Sequence, residues 1–354
     1  MAIEPKITVE KGTITATEET PGMASRIAVI GAFNSEVTDL TICSSVTTAH
    51  SIFGTSTTYG IFKGTDVIDY LFVGASNLLV VNITTWSTAE TPVAETTLSN
   101  EKLNNALNKL KHEEFDILFI AEELSDTQQT IVTSWLETEY GDKYCHGQVA
   151  QLQKQTASAY ETSIATFTDN IYWIQTQTFK YLGEELDLNR SAAYMCGLIA
   201  SMKVNRSLTA KIIPNITQVT PEYLTTPSEI GAKLLELNVP FIKCRNRSTK
   251  THYCVNSQLP NGLDLYINRV RDYIINRIAV ETFLGEISSD KTLEGIGNVV
   301  ENIRYQCVDV LGLLKDIEYH IEEESSSCVN VILDRLVFDD VITEIKITYN
   351  IEVE

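Results

Sequence analysis

The sequence predicts an α/β protein with α+β character in its last third. An open, largely parallel layer is followed by a hairpin, two long helices and a β-rich tail. Three observations predict this. Short continuous apolar runs at residues 23–33, 77–83 and 115–121 alternate with helical patterns, as buried parallel strands alternate with crossover helices. After Val239 the texture changes to two β runs around a polar turn and then to two amphipathic helices. Residues 341–354 alternate apolar and polar positions with no Gly or Pro, the signature of a half-buried strand.

Taken in order, residues 1–22 are polar, with short extended pieces at 7–10 and 12–15, and end in the turn signal Pro21-Gly22. They read as an arm. The run 23–33 reads as a buried strand that ends near Gly31. A helix over 65–73, a strand over 77–83 and a Thr/Ala/Ser-rich surface loop over 84–97 follow. A helix over 99–111 leads into the strand 115–121. Ser125 opens a helix to about residue 139, with Asp126 in its first turn to match the helix dipole. A strand near 147–153, a helix near 157–166 and a strand at 170–175 complete the alternation.

Residues 189–203 form a helix crowded with small residues: Ala192, Ala193, Cys196, Gly197, Ala200 and Ser201. Small side chains at helical spacing let a second backbone approach closely, and tight core packing is the expectation. Residues 208–214 read as extended, and a short helix runs from Thr226 to Leu237. The β runs 241–245 and 251–256 make a hairpin. Helices over about 262–284 and 293–315 present apolar stripes, the second through Ile296, Val299, Val300, Ile303 and Cys307. Strands at 317–322 and 328–338 precede the terminal one. A terminal strand this rich in β-formers needs a sheet to join, its own or a neighbour's.

The bulk numbers narrow the function classes. A formal charge of −20 and 44% apolar residues in 354 describe an acidic globular chain. That charge argues against a nucleic-acid or anionic-membrane partner. No apolar run reaches the roughly 18 residues that a membrane span needs. The N-terminus shows no basic segment followed by an apolar one, so no signal peptide is expected. Seven widely spaced cysteines are then expected as reduced thiols.

Motifs for chemistry are scarce. Gly54, Gly60 and Gly64 lie in a Thr-rich stretch, but neither a dinucleotide fingerprint nor a phosphate loop occurs. Cys145 and His146 are adjacent, and neighbours on an extended chain point apart. Cys244, His252 and Cys254 could meet across the hairpin as three metal ligands, but no fourth suggests itself and ordinary thiols are favoured. Glu122-Glu123 and Glu322-Glu323-Glu324 fit a solvated face. No catalytic, cofactor or metal residue is therefore expected, and the chain reads as a non-enzyme. The charge anomaly is basic: Lys243, Arg245, Arg247 and Lys250 in one hairpin, with Arg269, Arg271 and Arg277 on the helix after it. A basic spot on an acidic protein can steer it to an acidic partner.

Together these residues resemble the tail sheath proteins of contractile phage tails and phage-tail-like particles. The likeness spans most of the chain and rests on order, not on one diagnostic motif. It begins with the arm and Pro21-Gly22 before the strand at Arg26. It continues with Ala192-Ala193-Tyr194-Met195-Cys196-Gly197-Leu198-Ile199-Ala200 leading to Asn205-Arg206-Ser207-Leu208-Thr209. Ile267-Asn268-Arg269-Val270-Arg271-Asp272-Tyr273-Ile274, a second long helix and the alternating last strand close it. The compact size resembles the small sheaths of defective phages and R-type bacteriocins.

The resemblance implies four parts: an N-terminal arm (1–22), an outer α/β region (23–238), a C-terminal sheath domain (239–338) and a C-terminal β arm (339–354). It implies a helical homopolymer around an inner tail tube, with baseplate and tail terminator proteins as further partners, made in a bacterial host cytoplasm. The arms would complete sheets in neighbouring copies through Ile7, Val9 and Ile14 at one end and Ile345, Ile347, Tyr349, Ile351 and Val353 at the other. Lys243, Arg245, Arg247, Arg269 and Arg271 are the candidate tube-facing residues. A baseplate or adaptor component and a homo-oligomeric α/β enzyme are the rival expectations.

Overall fold

The computed structural model describes residues 26–56, 59–88, 93–113, 115–136, 148–149, 175–226, 229–246, 248–259, 262–280, 290–325 and 328–338. The expected helix at 157–166, the strand at 170–175 except for Gln175, and both terminal arms lie outside the described residues.

A five-stranded sheet organises the first half. Its strands are β1 (Arg26–Gly31), β2 (Thr41–Cys43), β3 (Asn77–Asn82), β6 (Ile117–Ile120) and β7 (Gln148–Val149), in the order β2-β3-β1-β6-β7. β1 runs parallel to β3 and to β6, β6 runs parallel to β7, and the short edge strand β2 is antiparallel. The expected parallel layer is therefore present. Alternate side chains enter two different cores, as the period of a strand requires. Ile27, Val29, Leu78, Val80, Ile117 and Phe119 face one core; Ala28, Ile30, Leu79, Val81, Leu118 and Ile120 face the other.

Helices α1 (Val46–Phe53) and α2 (Lys63–Leu71) cover the first face, and α3 (Asn100–Leu110) and α4 (Asp126–Ser134) the second. The starts of α3 and α4 fall where expected, whereas α1 was not expected and α2 begins two residues before the expected Thr65. Ser45 and Ser99 accept hydrogen bonds from the backbone of Thr48 and Lys102. Ser125 and Gln128 form a reciprocal capping box.

The expected surface loop at 84–97 is instead anchored. It contains the small pair β4 (Thr85–Trp86) and β5 (Ala94–Glu95). Thr84 is buried, its hydroxyl donating to Phe33 O at 2.8 Å and accepting from Phe33 N at 3.0 Å.

A second antiparallel sheet, β10-β8-β9, joins β8 (Thr178–Tyr181), β9 (Glu184–Glu185) and β10 (Ile216–Thr220). Helix α5 (Leu188–Ser201) is the small-residue helix. It lies in the first core between α2 and this sheet. The hairpin β11 (Ile242–Asn246) and β12 (Thr251–Cys254) forms as expected, after a short helix α6 (Ile230–Glu236). Ile242 and Cys254 pack in the first core and Phe241 in the second, so packing continues through the expected boundary at residue 239.

The third core gathers Val204, Tyr266, Val270, Ile274, Ile303, Cys307, Leu313, Leu314 and Ile317. It lies between α7 (Leu265–Val280), α8 (Asp290–Tyr305) and the antiparallel pair β13 (Asp316–Ser325) and β14 (Cys328–Val337). The second long helix stops sooner than the expected residue 315. It widens into a π-helical turn, Gln306–Val310, and then turns at Gly312, whose φ is +56°.

Candidate assembly surfaces

In open α/β sheets ligands bind outside the carboxyl ends of the parallel strands, where the strand order switches direction. Here that crevice, beyond β1 and β6, is packed. Gly64 N donates to Ala32 O at 2.8 Å, and a Cβ on Gly64 would stand 2.6 Å from the Phe33 ring. The first turn of α2 thus seats directly on the strand ends. Lys63 Nζ reaches Glu122 Oε2 at 2.6 Å beside it, and burial raises the Glu122 carboxyl above its ordinary range. Gly64, the last glycine of the Thr-rich stretch, serves this close packing.

Cys244 and His252 are register partners, and Cys254 lies across from Ile242. The three do not converge. Cys254 Sγ, fully buried, donates to Asn256 O at 2.8 Å, while His252 Nδ1 sits 2.9 Å from Lys250 O and 3.2 Å from Ile216 O. No metal-competent cluster occurs among the described residues. Cys145 and His146 lie outside them.

The β13–β14 pair has different properties. Its strands are ten residues each, and no third described strand pairs with either outer edge. Two long strands whose outer edges are unpaired among the described residues present rows of main-chain donors and acceptors. One face is held to α8. Arg304 donates from Nε and Nη2 to Asp316 Oδ1 at 3.1 and 2.8 Å and from Nη1 to Glu301 Oε1 at 2.9 Å. Tyr319 donates its hydroxyl to Gly297 O at 3.2 Å, and Leu333, Leu336 and Phe338 pack on the third core. The other face carries His320, with Nδ1 2.7 Å from Asp334 Oδ2 and Nε2 3.2 Å from Glu322 Oε1. The hydrogen bond that Asp334 accepts raises this imidazole above its ordinary value.

The basic residues divide. Arg245 is exposed and Lys243 and Arg271 are half-buried. Arg269 departs from the expectation of an exposed charge: it is 6% exposed, and its Nη2 donates to Met202 O at 3.1 Å at the end of α5. That contact satisfies a terminal helix carbonyl with a cation, which the helix dipole favours. Arg247 lies outside the described residues, as do Ile7, Val9, Ile14, Ile345, Ile347, Tyr349, Ile351 and Val353.

Compared with solved structures, this architecture is similar to the sheath tail protein of Desulfitobacterium hafniense. The TM-score is 0.64 at 11% identity, over 94% of this chain and 100% of that one. It is similar to a chain of the anti-feeding prophage helical sheath in the contracted state, with a TM-score of 0.64 at 12% identity over 99% and 100% of the two chains. A chain of the anti-feeding prophage baseplate gives a TM-score of 0.67 at 11% identity over all of both chains. This chain has the tail-sheath fold. No family model and no curated protein matches the sequence. Because the tail-sheath fold covers nearly the whole chain, the open sheet, the small-residue helix and the β13–β14 hairpin all belong to it. No described helix is long and apolar enough to cross a membrane.

Proposed function

We propose that the chain is a structural, non-enzymatic subunit of a contractile tail sheath, polymerising as a helical sleeve around an inner tube. The observation that carries this reading is the end-to-end similarity to sheath chains, including one from a contracted helical sheath. The β13–β14 hairpin, whose outer edges are unpaired among the described residues, supports it, because an exposed strand edge accepts an extended segment from another chain. The arms at 1–22 and 339–354 supply such segments, with Ile7, Val9, Ile14, Ile345, Ile347, Tyr349, Ile351 and Val353 filling the pockets between alternate side chains. Contraction is then a collective switch between two packings of the same subunits, with energy stored in the array. The packed crevice above β1 and β6 is compatible with a machine that consumes no nucleotide.

Electron microscopy of the purified chain tests the reading, with hollow helical tubes as the expected result. Deleting residues 341–354 leaves a folded monomer that forms none. Normal tubes from that truncation would refute the arm joint. The similarity to a baseplate chain favours a second reading, a baseplate component, which closed rings in place of tubes would support.

A further inference from the structure

We propose that the basic face at the β11–β12 hairpin is a docking surface for a second copy of this chain, and that it takes the acidic turn end of that copy's β13–β14 hairpin. The inference goes beyond the sheath reading, since it concerns a side-chain joint that does not involve the arms.

The observation is one of segregation. Residues 202–221 and 239–263 contain seven Lys and Arg and no Asp or Glu, in a chain of net charge −20. The fold sets these two segments side by side. Ala210 N donates to Cys254 O at 2.8 Å, Cys254 N to Lys211 O at 2.9 Å and Ile213 N to His252 O at 2.9 Å. Ile212 pairs with Tyr253, which pairs with Lys243 on the next strand, so the three share one outward row. Ile212 is 58% exposed in that row, an apolar contact flanked by cations.

Several cations elsewhere are paired within the subunit, although Lys102 and Lys109 reach only the carbonyls of Glu95 and Thr38 among the described residues. Arg190 pairs with Glu184 and Asp187, Lys63 with Glu122, and Arg304 with Glu301 and Asp316. Lys203, Arg206, Lys211, Lys243, Arg245 and Lys250 make no ion pair among the described residues. Lys243 Nζ has only the Thr225 hydroxyl, at 3.0 Å. Like charges gathered without counter-charges cost free energy until an acidic surface arrives.

The chain itself supplies that surface. β13 and β14 hold Asp316, Glu318, Glu322, Glu323, Glu324 and Asp334 against a single Arg335 and His320. Asp316 and Glu318 are matched within the subunit by Arg304 and Arg335. The run Glu322-Glu323-Glu324 lies toward the turn end of the hairpin, where Glu322 Oε1 stands 3.2 Å from His320 Nε2. Lys243 and Arg245 are thereby assigned to a copy-to-copy joint and not to a tube.

The test is a charge swap in the full chain, read by sedimentation velocity. One variant carries K211E, K243E and R245E; the other carries E322K, E323K and E324K. Each alone raises the concentration for half-assembly at least about tenfold. Mixing the two variants restores assembly to within about threefold of the original chain. Two variants that assemble like the original overturn the proposal. So does a folded pair, by circular dichroism, whose mixture is not restored. If only the first variant is impaired, the basic face meets another part of the second copy, and the assignment to the hairpin end is overturned. Should a variant not fold, the original chain still decides: self-association must weaken between about 50 and about 500 mM salt, and indifference to salt overturns the proposal. Salt-sensitive oligomers that are never tubular would sink the sheath reading and leave this joint standing.

Discussion

Gly197 of α5 stands against the main chain of α2: a Cβ at this position would lie 2.3 Å from Tyr70 O and 2.9 Å from Leu71 O. The contact is reciprocal, because a Cβ on Gly74 would lie 2.1 Å from Gly197 O. Backbone cannot step aside as the end of a side chain can. Gly197→Ala should therefore destabilise the subunit by about 2 kcal/mol through overpacking, although alanine is the better helix former by about 1 kcal/mol. Denaturant unfolding measures it. A variant as stable as the original would mean that the two helices part freely.

Asp264 gathers three hydroxyls at the start of α7. Its Oδ2 lies 2.8 Å from Ser207 Oγ, 2.8 Å from Ser257 Oγ and 3.2 Å from Thr209 Oγ1, and its Oδ1 accepts from Tyr266 N at 3.1 Å. The carboxylate thus ties the segment after α5 to the loop before α7. Asp264→Asn keeps the shape but can turn a donor toward donors. The expected loss is about 2 kcal/mol, the scale of a buried charge-assisted bond left unmatched. Thermal unfolding that does not move would show that the hydroxyls are satisfied without the carboxylate.

The parts of this fold that were legible in the sequence are those written in local pattern. Apolar runs marked β1, β3 and β6, and Ser99 and Ser125 marked helix starts. The β10-β8-β9 sheet was not legible, because its strands are short and one of its joints is a side chain. Gln177 Oε1 accepts from Ile242 N at 2.7 Å and its Nε2 donates to Ile242 O at 3.0 Å, so a side-chain amide does the work of a strand. Nothing in the order of residues announces such a contact. The basic hairpin was legible as composition, but its adjacency to Lys211 depends on tertiary pairing. Arg269 read as one more surface cation, since the α5 carbonyl that it meets is distant in sequence.

The thiols give a direct check on the packing. Cys196 and Cys254 are buried, and burial pushes both thiols far above their ordinary range, so neither forms thiolate at neutral pH. Cys43 is buried and raised in the same way. Cys244 is half-buried. In a chain with Cys145 and Cys328 replaced by serine, a thiol reagent at pH 7 to 8 should label Cys244 under native conditions and the others only on unfolding. Mass spectrometry of the labelled peptides reads the result. Rapid native labelling of Cys196 would contradict its place in the first core.

His320 should titrate above an ordinary histidine, because the Asp334 carboxylate 2.7 Å from Nδ1 favours the charged ring, with Glu322 adding to it. A folded value above the unfolded one fixes the sign. The stabilisation is complete below about pH 6.5, the unfolded value, and is lost as pH rises through the folded value. The β13–β14 pair should therefore be firmer in mildly acidic solution, until its own carboxylates begin to protonate. The ring is surface-exposed, so salt should reduce the shift. Following the imidazole signals of His320 by NMR gives the midpoint directly. Asp334→Asn should bring that midpoint down toward the unfolded value, and Glu322→Gln should move it less, since the Asp334 bond is the leading cause. An unchanged midpoint in Asp334→Asn would mean that the cross-strand pair does not form in solution, and the acid-side stabilisation would go with it.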